Sequence, residues 1–246
     1  MVDGLVGSEM CIRDRYKAGW NLAEEFVNMF IGHGGEFFKA GTAEPNINNA
    51  KGVATLNMLK KLASLSNPDY LTHDSEAIKV EWESGKVALM TLWASRSGTL
   101  LDDEGDAKIT AATKLTGPAT VGGGNIPAAT LWWDGFTLAK NRSDSDAEAT
   151  FIALAHAASN KKMVADAADQ AVWLVEGFVP GPKSIGVIEA VKMGAKPYPM
   201  LPQMGLMHGA LGSEIVEFLQ GKESAEQALK DVEAAYISKA KEQGFL

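Results

Sequence analysis

The chain has 246 residues, enough for one large domain or two modest lobes, and enough to bury a core without a metal or disulfide. Hydrophobic residues make up 46% and charged residues 22%, which is ordinary globular usage; 23 Lys+Arg against 31 Asp+Glu give a net charge of −8, which repels phosphate backbones and argues against a nucleic-acid partner. No apolar run approaches the ~18 residues of a membrane span, and the single cysteine, Cys11, excludes an internal disulfide or a cysteine-based zinc site.

Residues 1–15 do not read as a signal peptide. The basic residues Arg13 and Arg15 come last, the apolar run is short, and Asp3 sits where a basic start belongs. The stretch 7–15, Gly-Ser-Glu-Met-Cys-Ile-Arg-Asp-Arg, resembles translated sequencing-adapter sequence. It is therefore set aside from fold reasoning, and Cys11 with it. On that reading the chain is the C-terminal part of a longer protein, and the missing leader says nothing about secretion.

From residue 19 to 31, Leu22, Phe26, Met29 and Phe30 recur at helical spacing, and Gly34-Gly35 end the helix. Glu36-Phe37-Phe38 reads as a short strand. Asn48 is the expected N-cap of a helix that carries Val53, Leu56, Leu59 and Leu62 on one face and ends before Pro68. A helix over 75–86 places Ala77, Val80 and Trp82 inward and breaks at Gly85. The apolar run 87–92 has the length and character of a strand buried on both faces. Asp102 to Asp106 form an acidic, solvated turn whose spacing does not fit an EF-hand. Residues 108–112 read as a strand, 113–130 as a Gly/Pro-rich linker, and 131–139 as a strand with a polar break. Ser145 and Glu148 form a capping box for a helix that buries Ala149, Ile152, Ala153 and His156. A helix over 160–172 and a rigid turn at 179–182 follow. A second linker lies at 197–202, then a helix over 205–219. The last helix is opened by Ser224 and Gln227, with Ala228, Leu229, Val232, Ala235 and Tyr236 inward and Gly244 as its stop. Alternating strands and helices make the class α/β. Two Pro/Gly-rich crossings, near 113–120 and 195–201, divide the chain into three pieces, which suits two lobes visited in turn.

The familiar catalytic signatures are absent. There is no Gly-x-Ser-x-Gly elbow, no Rossmann Gly-x-Gly-x-x-Gly, and no Lys-Ser/Thr after Gly122-Gly123-Gly124. His33, His73, His156 and His208 lie far apart in sequence and match no zinc motif, so no metal or cofactor is expected. Paired carboxylates of a glycoside hydrolase stay open, because their pairing is spatial; Glu81 and Glu83, two apart on a helix, do not face one another. What stands out is aromatic. Of six tryptophans, Trp93 follows the apolar run and Trp132-Trp133 lie inside a strand, where neighbours point to opposite sides. An indole face suits the C–H face of a sugar ring, and Asp134, Arg96, Gln203 and His208 are available to bond hydroxyls. Core or interface packing of all six rings is the competing reading.

In order along the chain, several segments resemble the extracellular solute-binding proteins of sugar ABC transporters, the family that includes maltose-binding protein. They are Gly34-Gly35-Glu36-Phe37-Phe38, the helix from Asn46 to Leu62, Trp82-Glu83-Ser84-Gly85-Lys86-Val87-Ala88-Leu89-Met90 with Trp93 beyond, Trp133 to Leu138, Tyr198 to Met204, and the C-terminal Ser-Ala-Glu-Gln-Ala-Leu-Lys-Asp helix. The resemblance covers nearly all of 16–246. It implies a class II periplasmic-binding-protein-like α/β fold: two lobes joined by hinge crossings, with one lobe incomplete. Residues 16–115 would begin the C-terminal lobe, 119–195 would belong to the N-terminal lobe, and 200–246 would return. Trp93, Trp132 or Trp133, Asp134 and His208 are implied at the cleft, His208 where some relatives place a stacking aromatic. The implied function is capture of a sugar and its delivery to a membrane permease, by a periplasmic or extracellular protein, lipid-anchored or free, monomeric and not an enzyme. The chain alone would bind sugar poorly or not at all, because part of one lobe is missing. The alternatives are a same-fold protein for a polyamine, peptide or phosphonate, a carbohydrate-active enzyme, and a truncated product without function.

Overall fold

The computed structural model describes residues 12–13, 15–102, 104–168, 170–173 and 175–246. Among them run helices α1 (Trp20–Gly32), α2 (Ala50–Ser64), α3 (Ser75–Glu83), α4 (Ala94–Ser97), α5 (Ala107–Ala112), α6 (Asp144–Ser159), α7 (Lys161–Asp166), α8 (Ile185–Lys192), α9 (Met204–Leu219) and α10 (Ala225–Glu242). Strands are short: β1 (Ile12–Arg13) pairs in parallel with β2 (Leu89–Met90), and β3 (Thr130–Leu131) pairs in parallel with β4 (Lys196–Pro197).

The hydrophobic core gathers the two ends of the described chain. Phe26 and Phe30 of α1, Leu56 and Leu59 of α2, Met207, Leu211 and Ile215 of α9, and Leu229, Val232 and Tyr236 of α10 form one cluster with Tyr16. Each such side chain contributes roughly 1.5–3 kcal/mol by leaving water. Close approach of α1 and α9 requires glycine. The Gly19 amide donates to the Gly212 carbonyl at 2.9 Å, and a Cβ on Gly212 would overlap the Gly19 backbone. Helix starts follow the capping rule. Asn49, Asp74, Asp106, Ser143 and Ser224 each accept a backbone amide from the second or third residue of the helix they open.

Several expectations change. The cap of α2 is Asn49 rather than Asn48, whose amide is taken by the Glu233 carboxylate. Residues 36–38 make one bridge, Phe38 to Pro45, instead of a strand. Residues 108–112 are helical because Asp106 caps them as α5. In α3 it is Ile78 that is buried, while Val80 is 64% exposed. The run 87–92 is strand only at β2, and Leu89 stays 59% exposed because its sheet is two strands wide. Residues beyond Leu131 leave the strand and run exposed to Lys140. The cap of α6 is Ser143, and none of Ala149, Ile152, Ala153 and His156 is buried, since α6 packs chiefly on α7. The helix expected over 160–172 is α7, ending at Asp166.

Of the stretch set aside, residues 1–11 and 14, Cys11 included, lie outside the described residues. The rest is integrated. β1 pairs with β2, and Arg15 is 1% exposed because Glu25 and Trp93 enclose its guanidinium. The acidic turn is described except for Asp103, and no cluster of metal-ligating side chains occurs among the described residues. None of their helices is long and apolar enough to cross a membrane.

Candidate functional site

Five segments converge on a ladder of aromatic rings, one of them the turn before α4 that carries Trp93. Trp20 opens α1, and Glu24 and Asn28 follow at one-turn intervals, so the three share one face of the helix. Thr130 and Trp132 are two apart on extended backbone and point to the same side. Tyr198 follows β4 directly, and its amide donates to the Leu131 carbonyl at 3.1 Å, prolonging the β3–β4 pairing. His208 lies one turn into α9.

The rings meet in sequence. The Arg15 guanidinium lies 4.3 Å from the centre of the Trp93 ring. Trp93 meets Trp132 edge to face, centroids 6.1 Å apart at 84°. Trp132 lies along Tyr198 at 4.1 Å and against Trp20 at 6.1 Å. Trp20 stacks on His208 at 3.9 Å. Trp20 is 54% and Trp132 38% exposed, so the ladder is an open platform rather than a core. Two surface depressions, of about 230 and 420 Å³, lie elsewhere and have no aromatic lining.

Behind the rings is a buried polar layer. His208 Nδ1 is 3.0 Å from the Tyr198 hydroxyl and Nε2 is 3.1 Å from the Trp20 carbonyl. A carbonyl only accepts, so Nε2 carries the proton and Nδ1 accepts from Tyr198. Burial holds the imidazole below its ordinary pKa and the Tyr198 hydroxyl above its own. The Glu24 carboxyl is fully enclosed. Burial pushes it up to about 7, against the opposing pull of hydrogen bonds from Thr130 and Trp132 and of the Arg15 charge. Its Oε1 is 2.7 Å from Thr130 Oγ1 and accepts from Trp132 Nε1 at 3.3 Å. Arg15 spends its charge on Glu25, Nη2 to Oε1 at 2.6 Å. Glu24 Oε2 and Arg15 Nη1 are left without hydrogen-bond partners, one acceptor and one donor in reserve.

The structure thus brings together Trp93, Trp132 and His208, with His208 buried beneath the rings rather than presented at the surface. The other candidates stand apart from the ladder. Trp133 is 62% exposed, Asp134 is exposed, Arg96 pairs with Glu76, and Gln203 is buried at the start of α9. Sequence reasoning missed Trp20, Tyr198, Arg15 and Glu24. Two spacings carried the signal: Trp-x-x-x-Glu-x-x-x-Asn on α1, and Thr-x-Trp at β3.

No protein-family model matches the chain, and no curated protein matches it in sequence. Solved structures do match in shape. An ABC transporter solute-binding protein from Agrobacterium radiobacter K84, in complex with ribitol, superposes with a TM-score of 0.67 at 17% identity over 92% of this chain and 58% of that one. Maltose-bound MalE3 of T. maritima gives 0.71 at 15% identity, over 93% of this chain and 60% of that one. The maltose/maltodextrin-binding domain MalE of Bdellovibrio bacteriovorus, bound to maltotriose, gives 0.72 at 15% identity, over 98% and 63%. The chain therefore has the α/β fold of the periplasmic solute-binding proteins, and it spans about three-fifths of the length of those it matches.

Proposed function

We propose that this chain is the sugar-binding component of a carbohydrate ABC transporter, holding an uncharged, hydroxyl-rich ligand against the Trp93–Trp132–Trp20 platform and passing it unaltered to a membrane permease. The observation that carries this reading is the platform itself: part-exposed indoles backed by a buried donor and acceptor, on a fold whose matched structures hold maltose, maltotriose and ribitol. Indole faces give flat apolar area for the C–H side of a sugar, and the polar groups at their edges select hydroxyls. In this reading Trp133 and Asp134, exposed just past Trp132, would offer contacts to a longer ligand. The lobe division at 16–115, 119–195 and 200–246 belongs to the same proposal, as do a monomeric state and a periplasmic or extracellular address.

Binding works by population shift. A ligand that touches both sides of a hinged cleft favours closure only by its extra affinity for the closed form. Titration of the purified chain with maltose, maltotriose and ribitol, followed by tryptophan emission and calorimetry, is expected to show weak saturable binding of at least one and no product by chromatography. Trp93→Ala and Trp132→Ala should each weaken it by about 1–3 kcal/mol while the far-ultraviolet dichroism is unchanged. Silence with all three ligands, or hydrolysis of any, overturns the reading.

A further inference from the structure

We propose that Glu24 is a positioning residue for Trp132, and that gain or loss of its proton switches the hydrogen bonding that sets the pose of that indole, so that the platform's hold on a ligand follows pH. The ligand clause rests on the sugar-binding reading; the positioning of Trp132 does not.

The argument is a count of hydrogens. Thr130 Oγ1 lies 2.7 Å from Glu24 Oε1 and 2.9 Å from Asn28 Oδ1, and it accepts from Trp132 Nε1 at 2.9 Å. Two oxygen–oxygen contacts of that length need two hydrogens, and a threonine hydroxyl supplies one. A protonated Glu24 supplies the other. It donates to Thr130, which passes its own hydrogen to Asn28, and the Trp132 N–H fills the second lone pair of the hydroxyl. With Glu24 ionised the pattern must reverse. Thr130 then donates to the carboxylate, the Asn28 amide turns to present Nδ2, and the Trp132 N–H is drawn toward Glu24 Oε1, 3.3 Å away. The indole N–H, within reach of both oxygens, is therefore shared differently between them in the two states.

The surroundings let the proton change hands at a useful pH. Glu24 is completely buried, and its Oε2 has no partner. The nearest cation, Arg15, is committed to Glu25 on the same helix and to the Trp93 face. From α9 comes His208, kept neutral between Tyr198 and the Trp20 carbonyl, and from the end of β4 comes the Tyr198 hydroxyl, also neutral. Nothing else facing Glu24 adds charge among the described residues, and the carboxyl is held near neutrality by its own burial. A ligand seated on Trp132 shields this layer further from water and so favours the uncharged carboxyl. Affinity falls as pH rises.

The test is the Trp132 indole N–H resonance, assigned by its loss in Trp132→Phe and followed from pH 5 to 9 without ligand. The expected result is a titration centred near pH 7 in the native chain that is absent in Glu24→Gln, whose neutral amide mimics the protonated state. Thr130→Val, which removes the bridging hydroxyl and leaves Glu24 Oε1 as the near partner of the indole N–H, should alter the size and midpoint of the titration; a profile identical to the native one overturns the proposal if Glu24→Gln does not fold. A shift that persists unchanged in Glu24→Gln, or a flat native profile, overturns the proposal. Maltose affinity of the native chain should drop about two- to threefold from pH 6 to 8, the linkage expected if bound ligand raises the Glu24 pKa by about half a unit, and Glu24→Gln should be flat. A pH-independent native affinity removes the ligand clause. No binding at any pH overturns the sugar reading instead, while the indole signal still decides the role of Glu24.

Discussion

Glu24 carries a stability consequence separate from any ligand. Its carboxyl ionises near 7 in the folded chain against an ordinary value of 4.5. A raised carboxyl favours the fold while protonated, so its contribution is complete below about pH 4.5 and is lost as pH climbs through 7. The loss is about 3 kcal/mol. Urea unfolding at pH 5 and pH 8 should show the native chain less stable at the higher pH, with the difference much reduced in Glu24→Gln. At this scale the site was half legible. Trp93 and Trp132 announce themselves as tryptophans at strand ends, but Tyr198 reads as part of a proline linker, and its value comes from the β4 pairing that lays it on Trp132. Glu24 and Glu25 are adjacent acids in an apolar helix, and burial of both was not legible, because the spacing of Leu22, Phe26 and Phe30 defines only one face while the structure encloses every residue from Leu22 to Val27. Arg15 was lost when the segment before it was set aside.

The elements built on local rules were the readable ones. Periodic apolar residues gave α1, α9 and α10, and the Ser224 cap was placed correctly because its hydroxyl meets the Gln227 amide, a contact written three residues apart in sequence. Ser224→Ala should cost about 1 kcal/mol in thermal or chemical unfolding. Where burial depends on a distant element, reading failed. Ala149, Ile152, Ala153 and His156 of α6 read as a buried face, yet Ile152 is 59% exposed and the helix buries none of them. The contact between α1 and α9 is also non-local. Nothing beside Gly212 in sequence says that the Gly19 carbonyl will sit against it. Gly212→Ala should therefore destabilise the chain by about 1–3 kcal/mol, the usual cost of overpacking, and a denaturation midpoint equal to the native one would show that the two helices can separate freely.

At the scale of the whole molecule, several large apolar side chains face solvent: Phe136, Phe151, Ile152, Val179 and Val191 are each more than half exposed. Strong enhancement of an apolar dye such as ANS in native buffer is the expected outcome, and a dye signal no greater than that of a compact globular control would show these faces covered. β3 and β4 form a strap of four residues, Thr130 and Leu131 beside Lys196 and Pro197. Trp132 and Tyr198 each sit one residue past that strap, ring against ring. Any swivel of the intervening segment about the helical core must slide those two faces first. The molecule thus carries its own angular gauge: the near-ultraviolet dichroism of the Tyr198–Trp132 pair depends on how the two rings lie on one another, so a turn that slides them is expected to register there.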